Sequence, residues 1–170
     1  ISGSSLQFKS GVTADFETKS TYTLTITATS GTTSHTAIIG LKVNDLNEAP
    51  KEITLSNNTL DENILGGAVG ILSGQDPDSN DTITYTLSGD DAANFEVSGS
   101  ILKLKDEVFA NYEIKSSYTL TVTATDAGDL SYQKDVTVEI NDLSETNNSV
   151  SGTAWKDTNQ NGILDGNELK

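Results

Sequence analysis

ADFETKSTYTLTITATS (residues 14–30) returns further along the chain as ANYEIKSSYTLTVTATD (residues 110–126), and this pair of stretches decides the fold. Eleven of the seventeen positions are identical. The correspondence continues downstream, where VNDL (43–46) matches INDL (140–143). A spacing of 96 to 97 residues is the length of a whole domain. The repeat therefore indicates consecutive domains of one kind, each with its own core.

Apolar residues alternate with threonines in both copies of the repeated stretch. The apolar set is Tyr22, Leu24, Ile26 and Ala28 in the first copy and Tyr118, Leu120, Val122 and Ala124 in the second. A period of two with a β-branched polar face is typical of a half-buried antiparallel strand. Similar short runs between turn residues predict strands at 36–43, 52–55, 68–72, 83–87, 95–97, 101–104 and 134–140. The one helical element that we expect is a single turn near residues 107–111.

The repeat divides the chain into four parts. Residues 1–46 are predicted to be the C-terminal half of one repeat, because nothing precedes Ile1 to match residues 49–96. Residues 47–143 form a complete repeat, in which we expect seven strands of about five or six residues. Residues 144–149 are a polar linker, and residues 150–170 begin a third β domain. The predicted fold class is all-β: tandem Greek-key β-sandwiches, the first one incomplete, plus the start of a further β domain.

Composition limits the functions that this segment can have. The 170 residues include 25 acidic and 10 basic residues, for a net charge of −15, and neither cysteine nor methionine. An acidic chain lacks the cationic surface that nucleic acid requires, so we expect no nucleic-acid partner. The segment holds no apolar run of membrane-spanning length, so we expect no membrane insertion within it. The absence of both oxidisable residues suits an extracellular or cell-surface protein without disulfides.

Acidic residues gather in four short motifs. These are the triplet D-F-E (15–17), the junction D-L-N-E-A-P (45–50), the pair D-P-D (76–78), and Asp126 at the end of a predicted strand. In this order they resemble the calcium-binding set of cadherin repeats, which meets between consecutive domains. The resemblance covers residues 1–145 and is nearest to the cadherin-like repeats of bacterial surface proteins, whose junctions often read VNEAP or LNEAP.

The resemblance implies a calcium site between the two repeats. Ca²⁺ takes six to eight oxygen ligands, and carboxylates gathered without a cation would repel one another. The implied ligands number seven carboxylates and one amide, enough for two or three ions: Asp15, Glu17, Asp45, Asn47, Glu48, Asp76, Asp78 and Asp126. The alternative is that these acidic turns only keep the surface solvated.

The following junction carries a poorer set. Glu62, Glu113, Asp142 and Glu145 occupy matching positions. However, Asn111 and Ser144 replace the Asp of the triplet and the Asn of the linker, and no proline follows. We therefore expect at most one calcium ion at this junction, or none.

The tail carries a separate calcium motif. DTNQNGILDGNE (157–168) fits the twelve-residue loop D-x-[DN]-x-[DN]-G-x5-E at every defined position. The loop assigns ligand roles to Asp157, Asn159, Asn161, the backbone carbonyl of Ile163, Asp165 and Glu168. The preceding SGTAW predicts a strand, so this part resembles the start of the B-type repeats of bacterial cell-wall adhesins. The alternative is an Asn- and Gly-rich turn without metal.

These patterns predict a binding and structural role and no enzyme. The only histidine, His35, lies alone in a polar turn, and the chain has no cysteine, so no nucleophile with a base can be assembled. The resemblance implies a calcium-rigidified segment of a large bacterial cell-surface or secreted protein, with adjacent repeats as its partners. The parent is an adhesin stalk or cell–cell contact module with homophilic contacts, a subunit of an extracellular polymer (surface layer, sheath or filament), or a carbohydrate-active enzyme with spacer modules. Either preceding chain or a neighbouring subunit completes the first sandwich.

Overall fold

The computed structural model of the chain describes residues 5–145, which form ten strands and one short 3-10 turn. The predicted linker beyond residue 145, the start of the third domain and the calcium loop at 157–168 lie outside this range. No helix in residues 5–145 has the length and apolar character needed to cross a membrane. The strands are β1 (Thr21–Ser30), β2 (Thr33–Lys42), β3 (Glu52–Leu55), β4 (Thr59–Asp61), β5 (Ala68–Gln75), β6 (Thr84–Ser88), β7 (Phe95–Ser98), β8 (Ile101–Leu104), β9 (Ser117–Thr125) and β10 (Ser131–Asn141).

Strands β3 to β10 form a β-sandwich, which agrees with the predicted all-β fold class. One sheet has the order β4-β10-β9-β6 and the other has the order β3-β5-β8-β7. Side chains from both sheets fill the space between them, because each strand turns one face inward. The buried core comprises Ile53, Leu60, Val69, Leu72, Phe95, Leu102, Leu104, Ala110, Leu120, Val122, Ala124, Val138 and Ile140.

The sandwich has eight strands, so the prediction of seven is wrong. The difference arises because the first strand is divided into β3 in one sheet and β4 in the other. Strand β3 pairs with β5 in one sheet. The chain then crosses to the other sheet, where it continues as β4 and runs parallel to β10. At the crossing, the Asn57 side chain donates hydrogen bonds to the carbonyls of Thr59 (2.7 Å) and Val69 (2.8 Å). A Cβ at Gly70 would lie 2.6 Å from the Asn57 carbonyl oxygen, so this close approach requires glycine. The eight strands are three to eleven residues long.

Strand β9 confirms the predicted alternation. Leu120, Val122 and Ala124 are fully buried, whereas the threonines between them are partly exposed. Tyr118 is half-buried and packs edge-to-face against Phe95, with ring centroids 5.4 Å apart. Strand β9 lies in the middle of its sheet, between β10 and β6, so both of its edges are paired and its inward face is covered by the opposite sheet.

The repeated sequence folds into a repeated turn before strands β1 and β9. Asp15 Oδ1 accepts the backbone N–H of Thr18 at 2.9 Å, and Asn111 Oδ1 accepts that of Ile114 at 2.9 Å. One helix-like hydrogen bond closes each turn, from residue 19 to residue 15 and from residue 115 to residue 111.

The helical turn predicted near residues 107–111 is therefore misplaced, and the correct turn begins at its last residue. The carbonyls of Val108 and Ala110 accept hydrogen bonds from the backbone of residues 63–66, and the N–H of Val108 closes a tight turn on the carbonyl of Lys105 at 2.9 Å, so residues 107–111 do not form a helical turn. The 3-10 turn of the sandwich lies elsewhere, at Ala92–Asn94.

Strands β1 and β2 form a two-stranded hairpin that precedes the sandwich. They pair along their whole length, from Thr21 opposite Lys42 to Ser30 opposite Thr33. Residues 5–12 lie against one face of the hairpin, where Phe8 packs edge-to-face on Tyr22 with ring centroids 5.6 Å apart. Leu6, Phe8 and Val12 keep about half of their surface exposed (44–50 %), so the apolar face of this hairpin is only partly covered.

Candidate metal centre

Carboxylates from three separate parts of the chain meet where the hairpin unit joins the sandwich. Glu17 comes from the turn before β1, Glu48 from the linker before β3, and Asp78 from the loop after β5. Oxygen atoms of these three side chains lie within 4.8 Å of one another. Glu17 and Asp78 are 61 positions apart in the sequence, and it is the fold that brings their side chains close together.

Hydrogen bonds fix the linker against the sandwich at this point. The backbone N–H of Glu48 donates to Asp78 Oδ2 at 2.9 Å, and the N–H of Asp78 donates to Asp76 Oδ1 at 2.9 Å. Pro50 is buried, and the N–H of Lys51 donates to the carbonyl of Gln75 at 2.8 Å, which starts the pairing of β3 with β5. The D-x-D pair therefore positions the linker while leaving other carboxylate oxygens free to bind a ligand.

A second group of carboxylates lies beside the first. Asp76, Asp81 and Asp126 place oxygens within 4.8 Å of one another. Asn47 Nδ2 donates to Asp126 Oδ2 at 2.9 Å, and Asp126 Oδ1 accepts the N–H groups of Gly128 and Leu130 at 2.8 Å. Asp126, which is 5 % exposed, is thus held in one orientation by its own loop and by the linker.

Two buried oxygens of these groups have no hydrogen-bond partner within residues 5–145: Glu48 Oε2 and Asp76 Oδ2. A buried polar atom without a partner is costly, and a buried unpaired carboxylate oxygen is more costly still. The donor set here consists of carboxylate oxygens and the linker amide, which are ligands that hard divalent cations such as Ca²⁺ prefer. The residues present therefore fit a cation of this class.

The electrostatics of the site also favour a cation. Desolvation raises the pKa of Glu48, and the charges of Glu17, Asp78 and Asp15 raise it further. The backbone N–H of Glu17 lowers the pKa of its own carboxyl, but desolvation and the charges of Asp45, Asp78 and Asp15 outweigh this effect and raise the pKa overall. Both shifts mean that the charged forms are disfavoured here, and a bound cation would reverse that preference.

Asp15 and Asp45 lie outside the two compact groups. Both are exposed, although their charges act on Glu17. Both side-chain oxygens of Asp15 already accept hydrogen bonds within its own turn. The backbone N–H of Thr18 and, to a smaller extent, the Thr18 hydroxyl donate to them and lower the pKa of Asp15.

Asp81 is the residue that the sequence motifs missed. Asn80 adopts a left-handed backbone (φ 71°) and turns the loop after the D-x-D pair back toward Asp126. Asp81 Oδ1 accepts the N–H of Thr82 at 2.6 Å and that of Ala127 at 3.3 Å. Two features of the sequence could have identified Asp81 as a site residue. It lies five residues after Asp76, and it follows an Asn, a residue type that readily adopts the left-handed conformation.

The carboxylates of the other end of the sandwich are arranged differently. Glu62, Glu113 and Glu145 lie within 4.8 Å of one another, but Asp142 belongs to no such group in residues 5–145. Glu62 is fully buried, and its two oxygens accept the N–H groups of Leu143 (2.8 Å) and Tyr112 (2.9 Å). These bonds, first that of Leu143 and then that of Tyr112, lower the pKa of Glu62. The protein backbone itself therefore satisfies the central carboxylate at this end.

Comparisons with known proteins reveal cadherin-like relatives. No family model matches the chain. Human Protocadherin Fat 1 is 37 % identical over 136 residues, which cover 77 % of this chain and 3 % of that protein. Among solved structures, PcdhgB3 EC1-4 (30 % identity, TM-score 0.60) covers 76 % of this chain, and this chain spans 33 % of it. Protocadherin Gamma B2 extracellular cadherin domains 1-5 (29 % identity, TM-score 0.57) covers 77 % of this chain, and this chain spans 27 % of it. The chain thus spans a small part of each protein that it resembles.

Proposed function

Because the complete repeat is a cadherin-like domain in sequence and fold, we propose that the chain is a calcium-rigidified repeat segment of a large extracellular or cell-surface adhesion protein. The observation that carries this proposal is the pair of buried, unpartnered oxygens on Glu48 and Asp76. They lie among carboxylates that come from both repeats and from the linker between them. A cation bound there would contact both units at once.

Calcium would act mechanically at this junction. Without an ion, the like charges of Glu17, Glu48 and Asp78 repel one another across the boundary between the two units. With an ion, the same oxygens become shared ligands that hold the hairpin unit against the sandwich. Ligand binding also stabilises the folded state, by about 3 kcal/mol when calcium exceeds its dissociation constant a hundredfold. Extracellular calcium modules bind in the range of roughly 0.1 to 1 mM, which suits this role.

The proposed ligands extend the set implied by the sequence. Asp76 and Asp126 add a second group of oxygens beside Glu17, Glu48 and Asp78, and we add Asp81 to that group because of its position. Asp15, Asp45 and Asn47 complete the proposed set from the periphery. The calcium loop at residues 157–168 is proposed as a separate site.

Calorimetric titration of the chain with calcium tests the proposal. The background protein carries Asp157→Ala and Glu168→Gln, so that heat from the loop at 157–168 is removed. In this background we expect calcium binding, and we expect Glu48→Gln or Asp78→Asn to weaken it by at least tenfold, because each removes a negatively charged ligand at the junction. Asp90→Asn, an exposed residue of the β6–β7 loop, is the matched control and should leave binding unchanged. Equal binding by all variants would refute the junction site.

Adhesion is the role of the parent that the cadherin-like relatives favour, with adjacent repeats and homophilic contacts as its partners. The bacterial origin proposed here rests on the D-L-N-E-A-P junction and on the resemblance of the tail to B-type adhesin repeats. The spacer role in a carbohydrate-active enzyme stays a prediction that a catalytic domain in the parent gene would support.

A subunit of an extracellular polymer is the second candidate for the parent. The observation in its favour is the partly covered apolar face of β1 and β2, on which Leu6, Phe8 and Val12 remain half exposed. Sedimentation of the full chain as a function of protein concentration distinguishes the two roles of this face. Growing assemblies would support the polymer, and a monomer at all concentrations would rule out self-assembly of this segment.

A further inference from the structure

Apolar side chains are exposed together at the end of the sandwich remote from the proposed calcium junction. This distal pole consists of the loop at 63–66, the loop and turn at 108–115, and the departing chain at 142–145. Its exposed apolar residues are Ile64 (46 %), Leu65 (65 %), Phe109 (52 %), Tyr112 (38 %), Ile114 (84 %) and Leu143 (43 %). Apolar residues exposed close to one another mark an interaction site more often than scattered single residues do.

Backbone hydrogen bonds hold the three parts of the distal pole side by side. The N–H groups of residues 63 and 66 donate to the carbonyls of residues 110 and 108, each at 2.9 Å. Glu62 accepts the N–H groups of Tyr112 and Leu143 and so ties the turn to the departing chain. The apolar residues therefore lie on neighbouring segments at one end of the sandwich.

The internal repeat shows that two of these apolar residues are particular to the second copy. Phe109 and Ile114 stand where the first repeat has Thr13 and Thr18. At the same end, Asn111 replaces the acidic residue of the first triplet. The second copy has thus exchanged a carboxylate and two hydroxyls for an amide and two large apolar groups, beside a Glu62 whose oxygens are already satisfied.

We infer that the distal pole is an apolar docking surface for the segment that follows it, residues 150–170, with Trp155 as the apolar anchor of that segment. The chain leaves from the pole itself, since Glu62 holds Leu143 and Asn63 Nδ2 donates to Glu145 Oε1 at 3.2 Å. Five residues span at most about 18 Å, so residue 150 starts within reach of this surface. The segment also supplies apolar side chains to cover it: Val150, Ala154, Trp155, Ile163 and Leu164. Contact at this junction is apolar, whereas the preceding junction depends on a cation.

Fluorescence of the full chain tests this inference, because Trp155 is its single tryptophan. The test variant is Phe109→Thr with Ile114→Thr, which restores the residues of the first repeat. We expect this variant to show red-shifted emission and several-fold stronger acrylamide quenching than the unsubstituted chain, with chelator present as well as with calcium. The control is Ile71→Thr, the same change at an exposed position of β5 (55 % exposed), and it should leave the emission unchanged.

Four results would overturn the inference. Identical emission from the pole variant and the unsubstituted chain would mean that Trp155 is not at the pole. An effect that appears only with calcium would mean that a metal, not apolar contact, holds the junction. A quenching constant that changes with protein concentration would mean that a second copy covers the pole. Cross-relaxation between the Trp155 indole and the methyl groups of Ile114 in the unsubstituted chain provides a readout that does not depend on the folding of a variant, and its absence would equally contradict the docking.

Discussion

At the scale of single residues, the proposed calcium site depends on a contact that only a glycine permits. A Cβ on Gly128 would lie 2.5 Å from Asn47 Nδ2, closer than side chains approach one another. The space left by Gly128 allows Asn47 to reach over the loop and donate to Asp126. The linker and the strand-end carboxylate are thereby fixed relative to each other before any cation binds.

Gly128→Ala should therefore weaken calcium binding at the junction. The added methyl group displaces Asn47 and removes a hydrogen bond to a charged acceptor, which is typically worth about 1.5 kcal/mol or more. We expect a loss of about tenfold in calcium affinity by calorimetry, with the circular dichroism of the sandwich unchanged. Gly40→Ala is the control, because a Cβ there meets no atom of the described residues within 4 Å. Equal affinity for the two variants would show that the Asn47–Asp126 contact does not organise the site.

Asp91 gives a second prediction at this scale, on acid stability. The Lys115 ammonium and then the backbone N–H of Thr119, which donates at 2.8 Å, lower the pKa of Asp91 below its value of 3.8 in the unfolded chain. The folded state then binds fewer protons than the unfolded state, so the contribution of Asp91 is present above pH 3.8 and is lost as the pH falls through the lowered pKa.

Asp91→Asn should accordingly lower the free energy of unfolding near neutral pH and make it less dependent on pH in the acid range. Urea unfolding in chelator between pH 2 and pH 7 measures both effects. Asp90→Asn, at the exposed neighbouring position, should keep the acid dependence of the unsubstituted chain. The same acid dependence in the Asp91 variant would contradict the assignment.

At the scale of secondary-structure elements, the two copies of the repeated strand differ in how deeply the same side chains lie. Leu24 in β1 and Leu120 in β9 occupy equivalent positions. Leu120 is fully buried between two sheets, whereas Leu24 is half-buried on a hairpin whose apolar face is only partly covered. The alternation of apolar and polar residues identified the inward face of the strand in both copies. How deeply that face is buried depends on whether an opposite sheet covers it.

Leu120→Ala should cost about 2–5 kcal/mol in the free energy of unfolding, because it opens a cavity in a close-packed core. Leu24→Ala should cost clearly less, since the truncated side chain already touches solvent. Both values come from urea unfolding of the full chain followed by the tyrosine signal and by circular dichroism. A larger loss for Leu24→Ala would mean that the hairpin unit contributes more to stability than its exposed apolar face indicates.

Sequence patterns predicted nine of the ten strands found in residues 5–145 and missed β4. The nine carry alternation or bounding turns within the strand itself, and β3 and β8 even have the expected bounds. Strand β4 has only three residues, and its pairing with β10 joins residues about 80 positions apart, so no local pattern encodes it. The candidate site shows the same limit. The motifs contain most of its residues, but Asp81 lies near Asp76 and Asp126 only because the left-handed Asn80 reverses the loop.

At the scale of the whole molecule, the close carboxylate groups found in residues 5–145 lie at the two ends of the sandwich, and the two ends differ in how these carboxylates are satisfied. The end that meets the hairpin unit has buried carboxylate oxygens that find no partner in the part of the chain that the structure describes. At the distal pole, the backbone satisfies Glu62, and apolar groups stand where the first copy has threonines. We therefore expect calcium to control the first junction and to leave the second one unaffected.

Small-angle X-ray scattering of the full chain, with the loop at 157–168 inactivated by Asp157→Ala and Glu168→Gln, tests calcium rigidification most directly. With saturating calcium we expect one rigid, extended particle, and with chelator a flexible one in which the hairpin unit moves relative to the sandwich. Asp78→Asn should give the flexible profile under both conditions. Identical scattering with calcium and with chelator would contradict the account and would leave the carboxylate groups as solvated turns.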